Sequence, residues 1–308
     1  MNTIVLIEEY IKALVTNINK KHIPRKINII FDGGAFNGGF AAGVAIYLKC
    51  MEEHKVIKIH SISGCSIGSV LAFWYLAGCD KDNIIYLEKL MTSYKKHMNL
   101  HYGQELIHDI INNVFSKDTE NTLLSKLNGR LYVSYYNIKK HKQKTVSKFK
   151  NKEHIIECIL RSSHIPYVID GSASYKKKYM DGISPHIFNN GFPSLFIKLL
   201  TFQKCTRAFM IKSENNINYR LLTGVADVNE FFTTGKSDMC SFVGDWSYLN
   251  ILQLRIREVL FFTIFSLIGW LMIIKSYLPK GITKSLIYNG TSKAIDGLYR
   301  DIVGRLLV

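Results

Sequence analysis

Between Ile27 and Leu76 the chain writes one pattern twice: an apolar run, a glycine-bearing turn, and a helix that opens on small residues. The first copy is Ile27-Asn28-Ile29-Ile30-Phe31, then Asp32-Gly33-Gly34, then a helix from Gly39 to Lys49. The second is the strand Lys58 to Ser63, then Gly64-Cys65-Ser66-Ile67-Gly68, then an apolar helix from Ser69 to Leu76. Strand, turn and helix in alternation predict a three-layer α/β domain, with a mainly parallel sheet and the functional residues at the strand ends. With 308 residues, 47% of them hydrophobic, the chain is long enough to bury the core such a domain needs.

The second turn has the form G-x-S-x-G. Gly64 and Gly68 leave no side chains to collide with the flanking strand and helix, so Ser66 can occupy a strained turn with its hydroxyl pointing out of the sheet. The helix that follows aims free N–H groups and the positive end of its dipole at any negative charge that develops there. In the first turn Gly33, Gly34 and Ala35 are small enough for backbone N–H groups to approach a substrate carbonyl, as an oxyanion hole requires. A phosphate-binding loop would end in Gly-Lys-Ser/Thr, and a dinucleotide fold would keep its three-glycine spacing; Gly33-Gly34-Ala35-Phe36-Asn37-Gly38 does neither.

The run Asp32-Gly33-Gly34-Ala35-Phe36-Asn37-Gly38-Gly39, followed by Gly64-Cys65-Ser66-Ile67-Gly68, resembles the patatin-like phospholipase family. Two later stretches extend the likeness in the family's order: Arg161-Ser162-Ser163-His164-Ile165-Pro166, and Tyr179-Met180-Asp181-Gly182-Ile183. The resemblance runs from about Ile27 to Asn190. It implies a Ser–Asp dyad, with Ser66 as nucleophile and Asp181 as general base, and needs no histidine. It places the oxyanion hole in the first loop, at Gly33, Gly34, Ala35 and Gly38 and chiefly at Gly34 and Ala35. Gly64, Cys65, Ile67 and Gly68 form the elbow, and Gly182 and Ile183 complete the Asp-Gly motif. The sequence departs from the family pattern at Ala35, at Asn37, where an Arg or Lys is usual, and at Ile183.

Residue order excludes the main rivals. An α/β-hydrolase triad runs Ser, acid, His, usually with its histidine far toward the C-terminus, whereas here no histidine follows His186. Neither a histidine–carboxylate cluster nor a C-x-x-C pair is present, so no metal or other cofactor is implied and the six cysteines read as free thiols. Cys65 reads as packing.

The net charge of +16 calls for an anionic partner. No carboxylate lies between Asn121 and Lys152, where a basic hairpin is expected from residue 130 to 149, and Lys139, Lys140, Lys142 and Lys144 crowd it. Its two readings are a solvated turn and a face for anionic lipid. The resulting expectation is an intracellular, membrane-associated lipid acyl hydrolase acting on phospholipid or neutral lipid at an anionic membrane surface, with no nucleic acid. The alternative is a family member that binds lipid with weak or no turnover; a nucleic-acid-binding reading rests on charge alone. Oligomeric state is not written in the pattern.

Three regions follow: an amphipathic helix and basic linker over 1–26, the acyl hydrolase domain over 27–190, and an extension over 191–308. In the extension, the apolar run from Val259 to Ile274 fits a core helix, an interfacial helix or a single membrane span. A short amphipathic helix is expected within 280–308.

Overall fold

A computed structural model describes residues 3–34, 37–78, 101–166, 169–182, 184–199 and 217–277, with single helical positions at 89, 290, 293, 294 and 297. Helix α1 (Thr3–Thr16) precedes strand β1 (Lys26–Phe31), helix α2 (Gly38–Glu53), strand β2 (Lys58–Cys65) and helix α3 (Ile67–Ala77). Then come α4 (His101–Lys117), α5 (Glu120–Leu127), the hairpin β3 (Leu131–Asn137) and β4 (Lys142–Val146), α6 (Lys152–Ser162) and the short β5 (Tyr179–Met180). β6 (Ser194–Ile197), α7 (Ile217–Thr234), β7 (Cys240–Phe242) and α8 (Tyr248–Tyr277) follow.

Among the described residues seven strands form one sheet in the order β4-β3-β2-β1-β6-β7, with β5 also on β3. Its centre, from β3 through β2 and β1 to β6, is parallel, and β4, β5 and β7 add antiparallel edges. Ile27, Asn28, Ile29, Ile30 and Phe31 are all buried without alternation. A strand reads this way only when both faces of the sheet are covered, which is the expected three-layer α/β arrangement. The parallel centre brings the ends of β1 and β2 side by side, with Phe31 opposite Gly64, so the two turns of the sequence pattern meet.

The helix pair α2 and α7 closes one flank through glycine. A Cβ at Gly43 would lie 2.0 Å from the Leu221 carbonyl oxygen, and one at Gly224 would lie 2.1 Å from that of Phe40. Both obstacles are backbone, which cannot rotate aside. Gly224→Ala is therefore expected to lower stability by about 3 kcal/mol in urea unfolding, at the upper end of overpacking costs, despite alanine's better helix propensity.

The apolar run at 259–274 lies within α8, and two of its three readings need correction. It is not a core helix: Val259, Leu260, Leu267, Trp270 and Ile274 are exposed. The single span is not supported either, because among the described residues no helix is long and apolar enough to cross a membrane. The first half of α8 is instead tied to the domain through Arg257 and Glu258, which bond Asp32 and Ser184. The helix expected within 280–308 falls outside the described residues apart from single helical positions.

Candidate active site

The two glycine-bearing turns build the site against each other. β2 ends at Cys65, α3 begins at Ile67, and Ser66 between them takes φ 52° and ψ −132°. A positive φ in a non-glycine residue costs on the order of 1–3 kcal/mol and persists only where the surroundings hold it. Here they do. A Cβ on Gly64 would sit 2.2 Å from the Gly68 carbonyl oxygen, and one on Gly68 would sit 2.5 Å from the carbonyl oxygens of both Phe31 and Asp32. The elbow is pressed onto the end of β1 at distances only glycine permits.

Serine 162, in the third motif, fixes the elbow from the other side. The Ser66 N–H donates to the Ser162 carbonyl (3.1 Å) and to Ser162 Oγ (3.0 Å), whose own hydroxyl donates to the Ser134 carbonyl (2.6 Å). The Ser66 carbonyl in turn accepts from the Ser69 N–H (2.9 Å) and the Ser69 hydroxyl (2.7 Å). Ser66 is buried, at the N-terminal end of α3, where the helix dipole favours negative charge.

Asp181 follows β5. Its N–H donates to the His164 carbonyl (2.9 Å), and its Oδ1 accepts the Gly182 N–H (2.7 Å). The Ser162 carbonyl accepts both the Ser66 N–H (3.1 Å) and the Gly182 N–H (3.3 Å), which sets Asp181 beside the elbow. Gly182 is as confined as the elbow glycines, since a Cβ there would lie 2.4 Å from the Ser134 carbonyl oxygen and 2.7 Å from Cys65 Cβ. Desolvation pushes the Asp181 carboxyl up to about 8, and the neighbouring Ser66 and Gly182 only moderate the rise. A carboxylate so perturbed, beside a strained serine, has the affinity for protons that a general base needs near neutral pH.

In the first loop the Gly33 N–H donates to Asp32 Oδ1 at 2.9 Å. Among the described residues no acceptor takes up the Gly34 N–H. Gly34 is packed so closely on Leu199 that a Cβ would approach its side chain to 2.5 Å. Asn37, in the place of the expected cation, donates its side-chain amide to the Leu199 carbonyl (2.9 Å), and its backbone N–H bonds the Gly34 carbonyl (2.9 Å). These two bonds close the loop onto Leu199 without a charged side chain. Gly38 is buried as the first residue of α2. Ala35 and Ile183 lie outside the described residues. Cys65 is buried and its thiol is pushed well above the usual range, first by burial and then by Asp32 and Asp181, so it stays a packed thiol. Ile67 is half-buried at the start of α3.

The residue the sequence does not announce is Arg257. Its two terminal nitrogens hold Asp32 in a fork, Nη1 to Oδ2 at 2.6 Å and Nη2 to Oδ1 at 2.9 Å, with Asp32 almost fully buried. The pair satisfies the carboxylate that orients Gly33, and so steadies the loop from below. In the sequence Arg257 is only one of two arginines, Arg255 and Arg257, that alternate with Leu254 and Ile256, and this pattern marks no site. Nearby, an open cleft of about 340 Å³ is lined by Gln143, Ser184, Glu258, Val259 and Phe262.

Residues 29–191 match the model of one family, described as patatin-like phospholipase. No curated protein matches the chain.

Proposed function

The chain belongs to the patatin-like phospholipase family of lipid acyl hydrolases, and from that premise we propose that it cleaves ester-linked fatty acids with a Ser66–Asp181 dyad, as a phospholipase of the A type. The observation that carries this reading is the shared anchor of the two residues: the Ser162 carbonyl accepts the N–H of Ser66, on its strained turn, and the N–H of Gly182, next to Asp181.

In this mechanism ionised Asp181 takes the Ser66 proton as Oγ attacks the ester carbonyl. The carbonyl oxygen gains the negative charge, which the Gly34 amide and the N-terminal end of α3 stabilise. Collapse of the tetrahedral intermediate breaks the ester C–O bond, and the proton held by Asp181 passes to the departing lysolipid or glyceride alcohol. Water then enters, gives its proton to Asp181 and attacks the acyl-enzyme. The fatty acid leaves, and Ser66 recovers its proton. No histidine takes part: His164 is buried with Nε2 3.3 Å from Ser172 Oγ, and His186 stacks on Tyr132.

The substrate is a lipid presented at a surface, and the charge of +16 favours an anionic one. The test is fatty-acid release from phospholipid vesicles before and after treatment with a fluorophosphonate, with the adduct located by peptide mass spectrometry. The expected result is one adduct per chain, on Ser66, and loss of release in proportion to labelling. Release that continues in fully labelled protein would overturn the dyad, as would an adduct on another residue that abolishes release.

A further inference from the structure

A helix on the surface of a soluble domain ordinarily turns its charges outward; α8 turns Arg257 and Glu258 inward and keeps Arg255 outward. Arg257, Glu258 and Phe261 face the domain: the first bonds Asp32, the second accepts from the Ser184 hydroxyl at 2.8 Å, and the third packs on Tyr136, Ile138 and Met180. On the other side Ile256, Leu260, Ile264, Leu267, Trp270 and Ile274 recur every three or four residues, all solvent-facing, with Leu267 57% and Trp270 58% exposed. At 1.5 Å per residue the helix is about 45 Å long, far more apolar stripe than an isolated surface residue explains.

Beside this stripe lies the basic hairpin. The turn from β3 to β4 packs against α8, and Lys139, Lys140 and Lys142 on it are exposed. The apolar face therefore has a cationic shoulder, with an aromatic ring, Trp270, of the kind that sits at a lipid–water boundary.

We propose that the outer face of α8 and the lysine turn together form the surface that lies on an anionic phospholipid bilayer, in the plane of the headgroups. This rests on the lipid hydrolase reading for its purpose, though not for its geometry. Charge selects the occupant: a second copy of the chain would bring another +16 toward the lysine shoulder, whereas a bilayer of anionic lipid offers acyl chains to the stripe and phosphates to the lysines. The inner face of the same helix holds Asp32 beneath the elbow, so the surface that meets lipid and the candidate site are joined by one rigid element.

The test is cosedimentation with vesicles of phosphatidylcholine, with and without phosphatidylglycerol, over a salt series, alongside turnover of a soluble short-chain ester. Wild type is expected to bind the mixed vesicles in a salt-sensitive manner. Leu267→Glu with Trp270→Glu should weaken that binding by roughly tenfold or more, and so should Lys139→Glu with Lys140→Glu. Both variants should turn over the soluble ester like wild type, which also reports an intact fold. Unchanged vesicle binding by either variant would overturn the proposal, as would a wild type indifferent to phosphatidylglycerol. Conversion of a dimer to a monomer by the first variant, with vesicle binding retained, would also overturn it. Absence of ester turnover in wild type with the binding pattern intact would sink the hydrolase reading and leave the docking face standing.

Discussion

Ser66→Ala is expected to lower turnover of both vesicle phospholipid and a soluble ester by on the order of 10⁴- to 10⁶-fold, the loss that follows removal of a serine nucleophile. Stability should hardly change. Alanine keeps the N–H that bonds Ser162 and the carbonyl that accepts from Ser69, and it inherits rather than relieves the φ of 52°. Glycine at the same position separates chemistry from strain: Ser66→Gly should be equally inactive yet more stable, by about 1 kcal/mol, because glycine occupies positive φ without penalty. Initial rates and urea unfolding of the three proteins decide the matter. Turnover in the alanine variant within tenfold of wild type would remove Ser66 from the reaction.

Asp181→Asn is expected to cost roughly 10²- to 10⁴-fold, the range of a lost general base. The asparagine carbonyl can still accept from the Gly182 N–H, so geometry survives while basicity does not. In wild type, kcat/KM should rise with pH and level off above about 8, because only ionised Asp181 can take the serine proton and desolvation has lifted its pKa to that value. The variant should lack this limb.

Stability carries the opposite sign. A carboxyl whose folded pKa lies above its ordinary value binds its proton more tightly in the folded state, so the folded state loses stability as pH rises from about 4 to about 8. The asparagine variant escapes that loss, and its advantage over wild type should widen across this interval and stay constant above it. Parallel urea titrations at several pH values would reveal the crossing of activity and stability. A flat difference would mean that Asp181 titrates in its ordinary range.

The parts of the site written in the sequence are those fixed by close backbone approach. Gly64, Gly68 and Gly182 each occupy a place where a Cβ would strike a carbonyl within 2.5 Å, and such requirements leave glycines at readable spacing. The strands β1 and β2 were legible for a similar reason, since each is a short apolar run stopped by its turn. Ser162 lay inside a motif the sequence pointed to, but nothing distinguished it from Ser163; only packing makes one hydroxyl bridge Ser66 and Ser134. Engagement of the Gly33 amide by its own neighbour was hidden because a side-chain rotamer decides it. The run at 259–274 was ambiguous on physical grounds. An apolar stretch records a preference to leave water, and whether protein or lipid receives it depends on partners contributed by distant elements.

Arg257 and Asp32 are separated by 225 positions. A ribosome delivers them far apart in time. By the point at which β1, the elbow, Ser162 and Asp181 have all emerged, the Asp32 carboxylate still has no guanidinium, and enclosing an unpaired charge is strongly unfavourable. The glycine loop is thus laid down among the first elements of the domain but can close in its final form only when α8 arrives. A growing chain carries its serine long before it carries a finished site.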